Sequence, residues 1–309
     1  IDLEEYDFSK GSNSQVRATE ATVIERIPPR IKIRDGASLE LPHIMILIDD
    51  ENNTVIEPLS SLKSEMKELY NFELMQEGGQ ISGYLIDEQK CSEIISSLDM
   101  LGNPEKFSQK YDCSDILLYA MGDGNHSLAT AKEFYEQLKR NNPEKDFSNH
   151  PARYALAEIV NLHSPALQFE AIHRIITDTD TDILIEAMKK DLEITNEPSE
   201  QCFKYIVNGK EYTAYIHNKT SNLTVGSLQK FLDNYLSENN GKIDYIHGME
   251  TVKKLTEQKN SIGFILPDMS KNQLFPTVIK DGALPRKTFS MGHAQDKRYY
   301  IECRKIKNN

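Results

Sequence analysis

Residues 116–138 read ILLYAMGDGNHSLATAKEFYEQL. Ile116–Met121 is apolar without interruption, the pattern of a strand buried on both faces. Gly122-Asp123-Gly124-Asn125-His126-Ser127 follows at once, and then the period changes. Leu128, Ala131, Tyr135 and Leu138 recur on one helical face, with Lys132, Glu133, Glu136, Lys139 and Arg140 outside it. A buried strand feeding a glycine turn and then a helix puts strands and helices in one layered unit.

The same order carries chemistry. The first-turn N–H groups of a helix lack intrahelical acceptors, the dipole favours negative charge there, and glycine lets a phosphate approach the backbone. Gly122, Gly124, Asn125 and Ser127 are therefore the phosphate-binding candidates, and His126 and Asn125 can donate to an oxyanion. Asp123 would repel a phosphate, so it reads as a metal ligand, a general base or an N-cap. The letters equally describe a capped turn that binds nothing.

Working outward, residues 14–34 alternate β-branched and charged residues around Pro28-Pro29 and predict two short strands. Leu41–Asp49 predicts a second buried strand, and the spacing of Leu59, Leu62, Met66 and Leu69 predicts a helix over Pro58–Phe72. A strand (Ile81–Ile86), a helix (Glu88–Leu101), a buried segment (Ala152–Asn161) and a strand (Leu167–Ile176) come next. Beyond about Asp180 the pattern is helix, hairpin, helix, strand, helix, strand, with Asn208-Gly209 as a type I′ hairpin turn. A helix near Leu274–Asp281, a basic loop and a last strand, Tyr299–Arg304, close the chain. The domain organisation read from this is a core over 1–180 and a C-terminal α+β lobe over 181–309.

Composition narrows the function. The 309 residues hold 36 Lys+Arg against 48 Asp+Glu, a net charge of −12, which disfavours broad binding to nucleic acid. The apolar runs are too short to span a bilayer, and the acidic first residues carry no signal-peptide pattern. Cys91, Cys113, Cys202 and Cys303 lie far apart, as expected of reduced cytoplasmic thiols. His126, His163 and His173 lack helical metal-ligand spacing, so no metal residue is assigned. No Walker loop, G-x-G-x-x-G or G-x-S-x-G pattern is present.

Residues YAMGDGNHSLATAKEFYEQL resemble the signature segment of the bacterial family called domain of unknown function 1015, whose usual loop is Asp-Gly-His-His-Arg. Asp123, Gly124 and His126 match it, while Asn125 and Ser127 replace the first His and the Arg. RATEATVIERIPPR, VNLHSPALQFEAIHRII, KIDYIHGMETV and LFPTVIKDGALPRKTFS extend the resemblance over essentially the whole chain. The family carries a further N-terminal stretch of about a hundred residues, which implies a fragment or processed form here. Its Asp-Gly-x-His loop is similar to that of free serine kinases with the ParB/sulfiredoxin-type fold, where loop and helix N-terminus hold nucleotide phosphates. The resemblance thus implies an α+β fold with a ParB/sulfiredoxin-like core, a nucleotide, and Mg²⁺ as its companion.

Losing the loop Arg removes a bidentate phosphate clamp, so cations must come from elsewhere. Arg17 sits beside Thr19 and Glu20, and His173-Arg174 lie in an apolar setting. Lys287, His293, Lys297 and Arg298 form the densest positive cluster of the chain, although such runs are ordinarily solvated loops. Asp123, His126 and Glu20 are the catalytic candidates, Glu20 as general base. The expected function is binding of a small anionic ligand, a nucleotide or phosphorylated metabolite, with small-molecule kinase activity as its enzymatic form. The alternative is a non-catalytic ligand-binding or regulatory module, which the changes at Asn125 and Ser127 favour.

Overall fold

The computed structural model describes residues 1–41, 44–291 and 299–307. It divides into two units, one formed by Ile1–Leu167 with residues 299–307 and the other by Gln168–Met291.

The elements of the first unit are β1 (Tyr6–Asp7), β2 (Val16–Arg17), α1 (Ile27–Gly36), β3 (Leu39–Glu40), β4 (Met45–Ile48), β5 (Lys67–Glu73), β6 (Gln80–Leu85), α2 (Glu88–Leu101), α3 (Pro104–Tyr111), β7 (Tyr119–Asp123), α4 (Asn125–Asn141) and β8 (Glu158–Asn161). Five strands form one sheet in the order β1-β2-β7-β4-β8. β7 is parallel to β2 and antiparallel to β4, and β4 is parallel to β8. One face buries Ile46 and Met121 against Leu128, Ala131, Phe134 and Tyr135 of α4 and Ile27 of α1. Ile48 belongs to a separate cluster with Leu98 of α2 and Val55, and Leu47 and Ala120, which alternation turns to the opposite face of the sheet from Ile46 and Met121, are wholly buried as well. Both faces are covered, which is why β4 and β7 read as near-continuous apolar runs.

Three readings of this half change. Residues 14–34 give only β2, and Pro28-Pro29 lie inside the first turn of α1. Proline lacks the N–H that this turn leaves unbonded, and its fixed φ suits a helix start. The helix expected over Pro58–Phe72 is instead a 3₁₀ segment, Glu57–Glu65, followed by β5, which pairs with β6. The strand before the glycine turn starts at Tyr119 rather than Ile116. α3 was not foreseen: Asn103 caps it and Pro104 opens it, a start signal too short in apolar period to stand out.

The second unit contains β9 (Phe169–Thr177), α5 (Thr181–Asp191), β10 (Gln201–Val207), β11 (Lys210–Ile216), α6 (Thr224–Glu238), β12 (Lys242–His247), α7 (Met249–Leu255), β13 (Ile262–Ile265), α8 (Leu274–Asp281) and β14 (Phe289–Met291). The strand order is β11-β10-β13-β9-β12, with β14 also paired to β9, and every pairing is antiparallel. Asn208 and Gly209 have φ of 50° and 71°, as a type I′ turn requires. The division after Leu167 falls before the boundary read near 180, because β9 belongs to this sheet. The last element, β15 (Arg304–Lys305), pairs with β3 of the first unit and is shorter than the strand expected over Tyr299–Arg304. The architecture is mixed α/β. Among the described residues no helix is long and apolar enough to cross a membrane.

Candidate functional site

β7 ends at Asp123 and α4 starts at Asn125, with Gly124 between them as the N-cap. Gly124 has φ 88° and ψ 19°, the left-handed region that glycine enters without a Cβ penalty. Its carbonyl accepts from the N–H groups of Ser127 and Leu128 at 2.9 and 3.0 Å, closing the first turn of a 17-residue helix. Being glycine, this cap brings no side chain to the helix end. Leu128 points into the core, wholly buried, and does not cover it.

Each neighbour of the turn has a definite task. The Asp123 carboxylate accepts from the Gly124 N–H at 2.7 Å, so it braces the turn rather than capping the helix. Asn125 Oδ1 accepts from the Thr19 N–H at 3.3 Å, leaving its NH₂ to act as donor. Thr19 Oγ1 donates to the Met121 carbonyl at 2.6 Å. The Val23 N–H donates to His126 Nε2 at 3.2 Å, which makes that nitrogen an acceptor and puts the ring proton on Nδ1. Ser127 is exposed, and Glu20 is half-buried beside Thr19. The segment after β2 is thus fastened to the glycine turn by two hydrogen bonds from its own backbone.

Arg17 does not follow it. Its guanidinium donates to the carbonyls of Ser14, Asp115 and Ile116, at the end of β7 away from the turn, and it is 5% exposed. The candidate cation beside Thr19 is a strut between β2 and the chain entering β7.

His173 and Arg174 lie on β9 in the second unit, and their partners there are internal. His173 Nδ1 accepts from the Leu266 N–H at 3.2 Å. Arg174, fully buried, donates to Gln229 at 3.2 Å, to the Arg286 carbonyl at 2.9 Å and to the Ile172 carbonyl, and its guanidinium lies 5.2 Å from the Tyr245 ring centroid. Alternation along the strand turns the two to opposite faces, yet both are buried, since both faces of β9 are covered there. Lys287 is exposed in the second unit with φ 56°. Phe289 stacks on Phe169 at 4.2 Å and Met291 is buried, so this part of the basic segment attaches to β9 through β14. His293, Lys297 and Arg298 lie outside the described residues.

Burial pulls the His173 imidazole below its ordinary value; Asp268 opposes the shift, while Arg174 and His247 reinforce it. Above about pH 6.5 the folded and unfolded chains both hold this ring neutral, and stability does not depend on it. As pH falls, the unfolded ring takes up a proton before the folded one, so the folded state loses stability. The unfolding midpoint is expected to fall more steeply between about pH 7 and 5 in the wild type than in His173→Asn, whose amide oxygen can still accept from Leu266. Parallel profiles would show that this ring is not responsible.

A second cluster was not anticipated, because no metal residue was assigned. β4 and β8 run parallel with Ile48 opposite Asn161, so the residues just beyond both strands meet. There the ligating atoms of Asp49, Glu51 and His163 lie within 4.8 Å of one another. His163 Nε2 is 2.5 Å from Asp49 Oδ1, and Lys110 Nζ is 3.0 Å from both Asp49 and Glu51. Tyr111 donates to Asp49 Oδ2. Burial pushes the Asp49 carboxyl up, but the hydrogen bonds from Tyr111, His163 and Lys110 and the lysine charge outweigh it, leaving it below its usual value. Nothing in the sequence spacing announces this cluster; only the parallel register creates it.

Fold and turn together define a mixed α/β protein with a strand–glycine–helix turn. The sequence profile of the family described as Protein of unknown function (DUF1015) matches residues 1–235, and the chain belongs to that family. No curated protein matches it in sequence. Among solved structures, a free serine kinase in complex with AMP is similar over 99% of this chain and 90% of that one, at 12% identity and a TM-score of 0.48. A conserved hypothetical protein from Pyrococcus furiosus covers 99% and 94%, at 11% identity and 0.45. SbnI with a C-terminal truncation, from Staphylococcus aureus, covers 95% and 82%, at 10% identity and 0.46. At those values no ligand or residue role passes from them to this chain.

Proposed function

We propose that the Gly122–Ser127 turn binds the phosphate of a nucleotide or phosphorylated small metabolite. The observation that carries this is the left-handed Gly124 cap, which leaves the N-terminus of a 17-residue helix without a capping side chain. Partial positive charge at that end, the Asn125 amide donors and the Ser127 hydroxyl suit a dianion. Asp123, committed to the Gly124 N–H, serves as a brace and is the group from which a phosphate-bound cation such as Mg²⁺ would take an oxygen.

Phosphoryl transfer is the enzymatic form of the same reading. Thr19 and Glu20 support it, because the Thr19 N–H is fastened to Asn125 and Glu20, the next residue in the chain, is the candidate base. Against it stands the supply of cations: the loop has no arginine, Arg17 is bound to carbonyls, and Arg174 is bound within its own unit. Binding is therefore the primary function proposed, and catalysis its extension.

A thermal-shift series tests it with AMP, ADP, ATP, inorganic phosphate and adenosine, each with and without Mg²⁺. A phosphate-bearing ligand at a hundredfold excess over its Kd is expected to stabilise the fold by about 2.7 kcal/mol, and adenosine is expected to do far less. No shift from any phosphate-bearing compound would remove the proposal.

A further inference from the structure

We infer that Asp49, Glu51 and His163 form a binding site for a divalent transition-type cation, Zn²⁺ by its donor set, just beyond the C-terminal ends of β4 and β8, at the end of the first-unit sheet opposite the glycine turn. The two places are distinct. Met45 at the start of β4 pairs with Asp123, and Asp49 lies four residues further along, about 13 Å at the usual strand rise.

The donor set is one imidazole nitrogen and two carboxylates, all within 4.8 Å of one another. That mixture suits Zn²⁺, with water in a fourth position, better than Mg²⁺, which prefers oxygen alone. The supports of a metal site are present too. The Tyr111 hydroxyl and the Asp49 carboxylate are hydrogen-bonded, and the His163 backbone N–H donates to Asn161 Oδ1 at 3.1 Å, which fixes the approach of the ring. Asp49 and His163 side chains are 10% and 18% exposed, whereas Glu51, at 52%, leaves a way in from solvent.

A cation already stands in this place. Lys110 reaches both carboxylates at 3.0 Å, but one ammonium balances only one of two negative charges. A divalent ion balances both. Lys110 is 37% exposed on a flexible stem at the end of α3, so it can swing into water when the ion enters. His163 Nε2, now hydrogen-bonded to the Asp49 carboxylate, gives its lone pair to the metal in the tautomer that carries the ring proton on Nδ1. The lysine is then a competitor for the site, and this distinguishes a metal site from a structural ion-pair network. In a network, removing Lys110 only leaves repelling carboxylates; in a metal site it raises affinity.

The test is isothermal titration of the full chain with Zn²⁺ alone, supported by the visible spectrum of the Co²⁺ form. The wild type is expected to bind one ion at this site, and Lys110→Ala at least tenfold more tightly. Adding Glu51→Gln, at an exposed position that leaves the buried packing intact, or His163→Gln, is expected to cancel that gain. Circular dichroism confirms that each variant is folded. The inference fails if the wild type shows no site up to millimolar Zn²⁺. It fails also if Lys110→Ala binds no more tightly, or if the double variants keep the affinity of Lys110→Ala.

Discussion

Replacing Arg174 with alanine is expected to destabilise the chain by about 3 kcal/mol or more while leaving phosphate-ligand affinity unchanged. The guanidinium is wholly enclosed between β9, Gln229, the carbonyls of Ile172 and Arg286, and the face of Tyr245. Truncation leaves those acceptors without their donor in a dry setting, at about 1–3 kcal/mol for each group left unsatisfied, and opens a cavity beside Tyr245. Lysine cannot restore the arrangement, since a single ammonium lacks the planar fork that reaches a side chain and two carbonyls at once. Arg174→Lys is therefore expected to recover little of the loss. Chemical denaturation followed by circular dichroism reads the stability, and titration of the native protein below its transition reads the ligand. A phosphate-contacting arginine would give the opposite pattern, a small stability change with a large loss of binding, and that result would overturn the assignment.

Arg174 also shows where the sequence stops being legible. Alternation along a strand predicts that neighbours point to opposite faces, and so places one of His173 and Arg174 in solvent. The rule holds for their directions but says nothing of what covers each face. Here both side chains are enclosed, Arg174 by Gln229 of α6, the chain at Arg286 and the Tyr245 ring, and His173 beside the Leu266 N–H, so each must be hydrogen-bonded to survive there. By contrast, the Gly122–Ser127 turn was readable because its signal is local: an apolar run, two glycines and a change of period within a dozen letters. The hairpin at Asn208-Gly209 was readable for the same reason. Pro28-Pro29 misled because proline serves a turn and a helix start alike. The Asp49 cluster was invisible because its members sit at 49, 51, 110, 111 and 163 and meet only through the parallel pairing of β4 with β8.

Substituting Gly124 is expected to have the largest effect on ligand binding, and two different substitutions separate its two causes. At φ 88° a side chain with a branched Cβ is badly accommodated. Left-handed backbone costs an ordinary L-residue about 1–2 kcal/mol, so Gly124→Val should lower stability by at least that amount. Asparagine tolerates this region, so Gly124→Asn should lose much less. Binding should not follow stability. A phosphate seated on the start of α4 needs to approach the backbone where a Cβ would stand, and any side chain at 124 takes that space. Both variants are therefore expected to weaken phosphate-ligand binding a hundredfold or more, about 2.7 kcal/mol, although only the valine form is seriously destabilised. Ser127→Ala, at an exposed position that does not strain the turn, supplies the scale for losing one hydroxyl donor and should cost far less. If Gly124→Asn folds normally and binds with unchanged affinity, the helix end is not where the phosphate sits. If instead Gly124→Asn loses binding while its stability is nearly intact, access to the backbone, rather than integrity of the turn, is what the glycine provides.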